Sequence, residues 1–443
     1  MDKFVVNGGN TLSGTMVVSG AKNVALKALV AASLTEEEVV IHNVPLIADF
    51  FVMVDILKAL GAQVTIEDHT VRIQAKTLHA TDIPLDMAAK ARTSAMFLGP
   101  LLARRKEAII PNPGGCRLGA RPIDRIIDGI TQMNAQIVYH SEDGYFHAKT
   151  EGLKGITYTF EKNTHTGTET LLIAAVLAAG TTILENAAQE PEIDELIILL
   201  QSMGAKIHRS GERQITIHGV ETLHGATYAI KPDRNEIVTF AIAAIITKGD
   251  IFIKDAQLAD LDAFLLLLDQ AKAGYEKKSD GVRFFYKGEL LATDVTTAIY
   301  PGFMTDWQAP WAVLMTQAHG VSLVHETVFE NKLGYTADLK RMGAKVALFN
   351  PEVASPETVY NFNLADNSPE FFHAVRITGP TPLHNAIVKS LDIRAGAAVV
   401  LAALVAKGET TIHGAYLIDR GYEKFEQRLS NLGANIKRVS DTI

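Results

Sequence analysis

The stretch ALGAQV, Ala59-Leu60-Gly61-Ala62-Gln63-Val64, returns five more times along the chain: QMNAQI (132–137), SMGAKI (202–207), QAKAGY (270–275), RMGAKV (341–346) and NLGANI (431–436). Each time an apolar helical run ends in a small or polar turn and a strand begins. The shared alanines are Ala62, Ala135, Ala205, Ala273, Ala344 and Ala434, at intervals of 73, 70, 68, 71 and 90 residues. A second marker, a β-rich stretch running into a polar turn, ends at Asn43, Asn112, Asn186, Asp255, Glu326 and Gly414, at intervals of 69, 74, 69, 71 and 88. Two markers with one period predict six similar β/α units. Both place extra length in the last unit, and Asn350 to Pro382, rich in Pro, Asn, Ser and aromatics, is expected to be an inserted excursion.

Within a unit, strands such as TMVVSG alternate with helical runs such as Thr168 to Ala179. Several runs, LLIAAVLAA and FAIAAII among them, are apolar on all sides. Such helices belong inside with sheets around them, the reverse of a surface helix. A period of about 70 residues exceeds any solenoid repeat, so the simplest arrangement is an α/β protein of two domains with three units each.

Composition narrows the function classes. The 443 residues carry 42 Lys plus Arg against 50 Asp plus Glu, a formal charge of -8, so no overall basic field attracts nucleic acid or an anionic membrane. Apolar stretches such as Ala395 to Ala406 fall short of a spanning helix. Cys116 is the single cysteine, which fits a reducing, cytoplasmic setting and leaves no internal disulfide or cysteine zinc cluster.

Three motifs carry chemistry. In SGAKN (19–23) a strand turns into a helix, and Lys22 adds charge to a helix start suited to an anion; a surface lysine on a first turn is the plainer alternative. In PNPGGCRLGARPIDR (111–125), three arginines follow Cys116 in a Pro/Gly-rich loop, and nearby cations favour a reactive thiolate over an inert core thiol. In TDWQAPW (305–311) one acid stands between a threonine and a tryptophan. Asp306 is either a helix-start carboxylate or a general base beside an aromatic wall.

Taken with ENAAQEPEI (185–193), PDR (232–234), FEN followed by Lys332, D-x-R (392–394) and IDRGYE (418–423), these motifs in this order resemble the UDP-N-acetylglucosamine enolpyruvyl transferases over nearly the whole chain. The resemblance implies a two-domain inside-out α/β barrel, with one domain at 22–230 and the other at 1–21 plus 231–443, and an active site in the cleft between them. It implies addition of phosphoenolpyruvate to the 3-hydroxyl of the sugar nucleotide and loss of phosphate, the first committed step of peptidoglycan precursor synthesis, with no metal or organic cofactor. Cys116 is then the expected acid, Asp306 the base, and Lys22, Arg121, Arg394 and Arg420 the anion clamp. Asn23 and Arg92 match further ligand positions at the cleft, and Lys332 matches a phosphoenolpyruvate-side position. Pro122, Ile123, Asp124, Arg125, Lys162, Asn163, Thr164, His165 and Val328 match positions that hold the sugar nucleotide. The pattern departs at Lys332, where the family usually has arginine, at Thr164 to Thr168, and at Arg125-Ile126. A different acceptor, or a non-catalytic relative that binds a nucleotide sugar, are the competing readings. A monomer or weak homo-oligomer is expected, along with alkylation of Cys116 by fosfomycin.

Overall fold

Every alanine marker sits at the end of an outer helix. The computed structural model describes residues 2–114 and 123–440, and the outer helices are Ala48–Leu60, Asp124–Gln132, Pro191–Ser202, Asp262–Gln270, Thr336–Arg341 and Phe425–Asn431. The residue before each marker alanine is left-handed: Gly61, Asn134, Gly204, Lys272, Gly343 and Gly433 have φ between 58° and 110°. In five of the six turns the alanine N–H donates to a leucine carbonyl five residues back, as Ala62 does to Leu57 and Ala434 to Leu429. That bond closes a helix whose next residue turns left-handed. The alanines are 3–7% exposed, so a larger side chain would have to displace core atoms.

In the five four-stranded sheets the second marker follows an inner strand, and in the three-stranded sheet it follows the edge strand Glu107–Pro111. Asn43, Asn186, Asp255 and Gly414 adopt positive φ there. The amide groups of Asn43 and Asn186 donate to the carbonyls of Ile230 and Phe160, both at 2.8 Å, tying the end of the central strand to its parallel neighbour.

Five four-stranded sheets and one three-stranded sheet result among the described residues. The repeating order is an incoming strand parallel to the central strand, then a returning strand, then an outer one; Ala226–Ala229, Glu38–His42, Thr70–Gln74 and Gln63–Glu67 show it. In the three-stranded sheet the incoming strand shrinks to one bridge, Asp82 to Ile109, and Pro84 just beyond has no N–H to extend it. In the sixth repeat the place of the returning strand is taken by Asp2–Asn7 from the far end of the chain, between Glu409–His413 and Asn435–Ser440.

The described residues form two compact units, residues 20–114 with 123–231, and 2–19 with 232–440. The chain passes between them at neighbouring points, marked by Ala21 N–H donating to Lys231 at 2.9 Å and Asp233 N–H to Ser19 at 2.8 Å. Each unit has its own apolar core. In one, Lys22–Ala32, Leu98–Arg105 and His165–Ala175 are the inner helices, and Gly99 lets the last two approach so closely that an added Cβ would lie 3.2 Å from Ala174. In the other, Arg234–Ile246 and Gln308–Thr316 are buried at every residue, and Ile393–Val405 nearly so. No helix among the described residues is long and apolar enough to cross a membrane.

The insertion is shorter than expected. Ala374–Gly379 is a regular strand, paired with Gly320–His325 and Lys345–Phe349, so the excursion ends at residue 373. Its alternating AVRITG pattern is masked in the sequence by the aromatics before it and the prolines after it. The excursion itself folds back on the sheet: Tyr360, Phe362 and His373 are buried and stack on one another, and Asn361 N–H donates to the Thr327 carbonyl at 2.8 Å.

Candidate active site

The inner helices are mostly apolar, and the starts of all six carry a charged or ionisable side chain. Lys22 opens Lys22–Ala32, Arg92 opens the 3-10 turn Arg92–Phe97 ahead of Leu98–Arg105, and His165 opens His165–Ala175. Arg234 opens Arg234–Ile246, Asp306 lies in the turn Thr305–Trp307 ahead of Gln308–Thr316, and Arg394 is second in Ile393–Val405. Three starts are pinned by side-chain caps. Asp233 Oδ1 accepts from Asn235 N–H at 2.7 Å, Asp392 Oδ1 from Arg394 and Ala395 N–H at 2.8 and 2.9 Å, and Thr164 Oγ1 from Gly167 N–H at 3.2 Å.

In the unit of residues 2–19 and 232–440, the Asp306 carboxylate lies 3.7 Å from Lys332 Nζ and 3.6 Å from Arg394 Nε. The Lys332 and Arg394 side chains are 4% and 8% exposed, whereas that of Asp306 is 29% exposed. Two buried cations thus stand behind one accessible acid. Arg394 lies over the Tyr422 ring at 5.2 Å and Lys332 over Phe329 at 4.7 Å. Burial works against the Arg394 charge, but Tyr422, Asp306 and Asp233 outweigh it and keep the guanidinium firmly protonated. Its Nη1 is buried and has no hydrogen-bond partner among the described residues.

Glu326 organises this cluster. It is 1% exposed, accepts from Thr305 Oγ1 at 2.8 Å, and accepts from Val328 and Phe329 N–H at 2.8 and 3.0 Å. Burial pushes its carboxyl up, with Lys332 and these donors opposing. One side chain therefore joins the turn that carries Asp306 to the segment that carries Val328. The two tryptophans form no wall beside the acid: Trp307 and Trp311 are buried edge-on against Phe264 and Phe303, and Trp307 Nε1 donates to Asn235 at 2.9 Å. Arg420 is half-buried just after the helix Ala415–Ile418.

In the unit of residues 20–114 and 123–231, Lys22 is buried with its Nζ 2.8 Å from Asp49. Asn23 and Arg92 are half-buried. His165 Nε2 and Lys27 Nζ each lie 3.1 Å from the fully buried Glu169 carboxylate. Burial pushes the His165 imidazole down, yet Glu169 more than offsets it and the net shift is upward. Asn163 is buried and donates to the Asn186 carbonyl at 2.9 Å; Lys162 and Thr164 beside it are half-buried. Ile123 is buried, Asp124 exposed and Arg125 intermediate at the start of Asp124–Gln132, where the Arg125 carbonyl accepts from the Tyr158 hydroxyl at 3.2 Å. Cys116, Arg121 and Pro122 lie outside the described residues.

Asp49, Lys27, Glu169 and Glu326 belong to these clusters and escape a motif search, while Arg234 lies in the PDR motif, which assigns it no role. A legible signal existed for some of them. Lys27 and Glu169 are lone charges inside apolar runs, and Glu169 stands four residues after His165, one helical turn away. Asp49 carries no such mark, since Lys22 lies 27 residues away, and Glu326 is bound by neighbouring backbone N–H groups that no side-chain pattern reveals.

The sequence profile of the EPSP synthase (3-phosphoshikimate 1-carboxyvinyltransferase) family matches residues 6–429. The chain is 44% identical over its whole length to the UDP-N-acetylglucosamine 1-carboxyvinyltransferase of Acidobacterium capsulatum, covering 97% of that protein, and 43% identical, at the same coverage, to that of Koribacter versatilis. Among solved structures it is similar to the enolpyruvyl transferase NikO from Streptomyces tendae, with a TM-score of 0.86 at 24% identity, covering 99% of each chain. It is also similar to EPSP synthase from Acinetobacter baumannii, with a TM-score of 0.74 at 18% identity, covering 99% of this chain and 100% of that one. The fold shared with these structures is the two-domain inside-out α/β barrel.

Proposed function

This chain belongs to the UDP-N-acetylglucosamine 1-carboxyvinyltransferase family, and from that premise we infer that it moves the enolpyruvyl group of phosphoenolpyruvate onto the 3-hydroxyl of UDP-N-acetylglucosamine. Phosphate is released, and the product feeds peptidoglycan synthesis. In the addition, the methylene carbon of phosphoenolpyruvate gains a proton while the sugar oxygen bonds to the adjacent carbon. In the elimination, the tetrahedral ketal loses phosphate and a methyl proton, restoring the double bond.

The observation that carries the mechanism is the pairing of Asp306 with two buried cations. Phosphate and carboxylate groups of the substrate compete with Asp306 for Lys332 and Arg394. Their arrival releases the acid to take the proton of the sugar hydroxyl. Cys116 supplies the proton to the methylene carbon. Lys22, Arg121, Arg394 and Arg420 hold the anionic groups, with Asn23 and Arg92 beside them. Ile123 to Arg125, Lys162 to His165, Pro122 and Val328 hold the sugar nucleotide. Charge stabilisation by side chains leaves no step that calls for a metal or organic cofactor. The enzyme works in the cytoplasm as a monomer or weak homo-oligomer, apart from nucleic acid and membrane.

Phosphate release from phosphoenolpyruvate tests this, with UDP-N-acetylglucosamine and shikimate 3-phosphate as parallel acceptors. Release with the first alone is expected, and release with the second alone, or with neither, overturns the assignment. In Cys116→Ser, turnover should fall by about 100-fold or more while sugar-nucleotide binding persists. Fosfomycin should add its mass to the Cys116 peptide only.

A further inference from the structure

The hairpin formed by Ala135–His140 and Tyr145–Thr150 lies apart from the residues assigned above, and it gathers two imidazoles and a carboxylate at its tip. Val138 pairs with His147 and His140 with Tyr145, so His140 and His147 are diagonal neighbours on one face of the strands. Their rings stack with centroids 4.2 Å apart and planes inclined by 22°. Asp143 in the turn reaches the same point, with Oδ2 2.8 Å from His147 Nε2. Its other oxygen accepts from Tyr145 N–H at 2.9 Å and fixes the carboxylate. One ligand atom from each of the three residues falls within 4.8 Å of the others. His140 and Asp143 are exposed, and the His147 side chain is 29% exposed.

We propose that His140, Asp143 and His147 form a surface site for one divalent transition-metal ion of the zinc, nickel or copper class. An Asp–His pair alone would need only Asp143 and His147; the stacked second imidazole is what completes a three-donor set. Two imidazoles and one carboxylate suit ions of intermediate softness and not magnesium or calcium, which take oxygen donors. An ion with zinc–nitrogen distances of about 2.0–2.1 Å draws the three donors inward from separations of up to 4.8 Å. Solvent exposure leaves the remaining coordination positions to water. The turn is also tied to the next strand of its sheet: Gly144 N–H donates to His140 at 2.9 Å, and Asn112 N–H to Gly144 at 3.2 Å. These backbone bonds tie the tip of the hairpin to the residue that follows Glu107–Pro111.

The test is calorimetric titration of the metal-free full-length protein with zinc chloride, repeated with cobalt(II) followed by its visible absorption. One equivalent per chain is expected. Binding should weaken by about tenfold or more in His140→Ala and in Asp143→Asn, because even a group behind a metal ligand is worth roughly 10- to 100-fold in affinity. It should persist in Cys116→Ser. Both positions are exposed, so the melting temperature of the metal-free variants should match the parent. Binding unchanged in these two variants, lost in Cys116→Ser, or absent at about millimolar zinc would overturn the site.

Discussion

Lys332 stands where the family resemblance expects an arginine, and its environment shows how a point charge serves there. It is buried, lies over Phe329, and shares Asp306 with Arg394. Lacking a fork, it can neutralise an anion without fixing its orientation, which leaves orientation to Arg394. Lys332→Ala should therefore lower kcat/KM for phosphoenolpyruvate by about 100-fold, with little change in sugar-nucleotide affinity; steady-state kinetics with each substrate varied in turn would check both. His165 makes a second residue-scale prediction. Its folded-state pKa is raised, so its pairing with Glu169 stabilises fully below the unfolded value of about 6.5 and is lost as pH rises through the folded value. Thermal unfolding across that range should show the parent losing stability relative to His165→Asn as pH rises. A gap between the two that does not narrow would rule the pairing out. The TFEKNTHTGT context singled out His165 through the family resemblance alone, as an expectation on the nucleotide side. Lys27, the second cation on Glu169, was legible as a lone charge in an apolar run, but its placement beside His165 was not, because 138 residues separate the two.

At the scale of elements, the marker turns were legible because the physics behind them is local. A left-handed residue after a helix favours glycine or asparagine, and the buried residue next to it must be small. Lys272 shows the same turn made without either favoured residue. The strand Ala374–Gly379 was hidden for the opposite reason: its role depends on partners 320–325 and 345–349, not on its own composition. The caps of the inner helices connect element and site, since Asp392 binds the backbone N–H of Arg394 itself. Asp392→Ala should cost about 1 kcal/mol of stability, within the usual range of roughly 0.5–2 for a lost cap. It should also reduce turnover, whereas the equivalent loss at Thr164 should act mainly on acceptor KM. Comparing melting curves with kinetics of the two variants separates capping from catalysis.

Across the whole molecule, six copies of one module place six helix starts where polar groups are tolerated, which is why candidate residues recur with the repeat. The unit of residues 20–114 and 123–231 is interrupted only by the segment outside the described residues. The other unit is completed from both directions by Asp2–Asn7, whose partners lie beyond residue 408. Removing residues 2–7 should destabilise that second unit while sparing the first; limited proteolysis followed by mass spectrometry would show cleavage concentrated within 232–440. The position of this strand also orders events during synthesis. At about 5–20 residues per second, its first residues wait roughly 20 to 90 seconds for the strands that flank them. Phe4 and Val6, fully buried at the end, are exposed apolar groups for all that time. The nascent chain thus carries a lone, unpaired strand until residues 409–440 have been made, and a circular permutant beginning inside a loop of residues 232–440 would make the same strand a local hairpin partner and remove the delay.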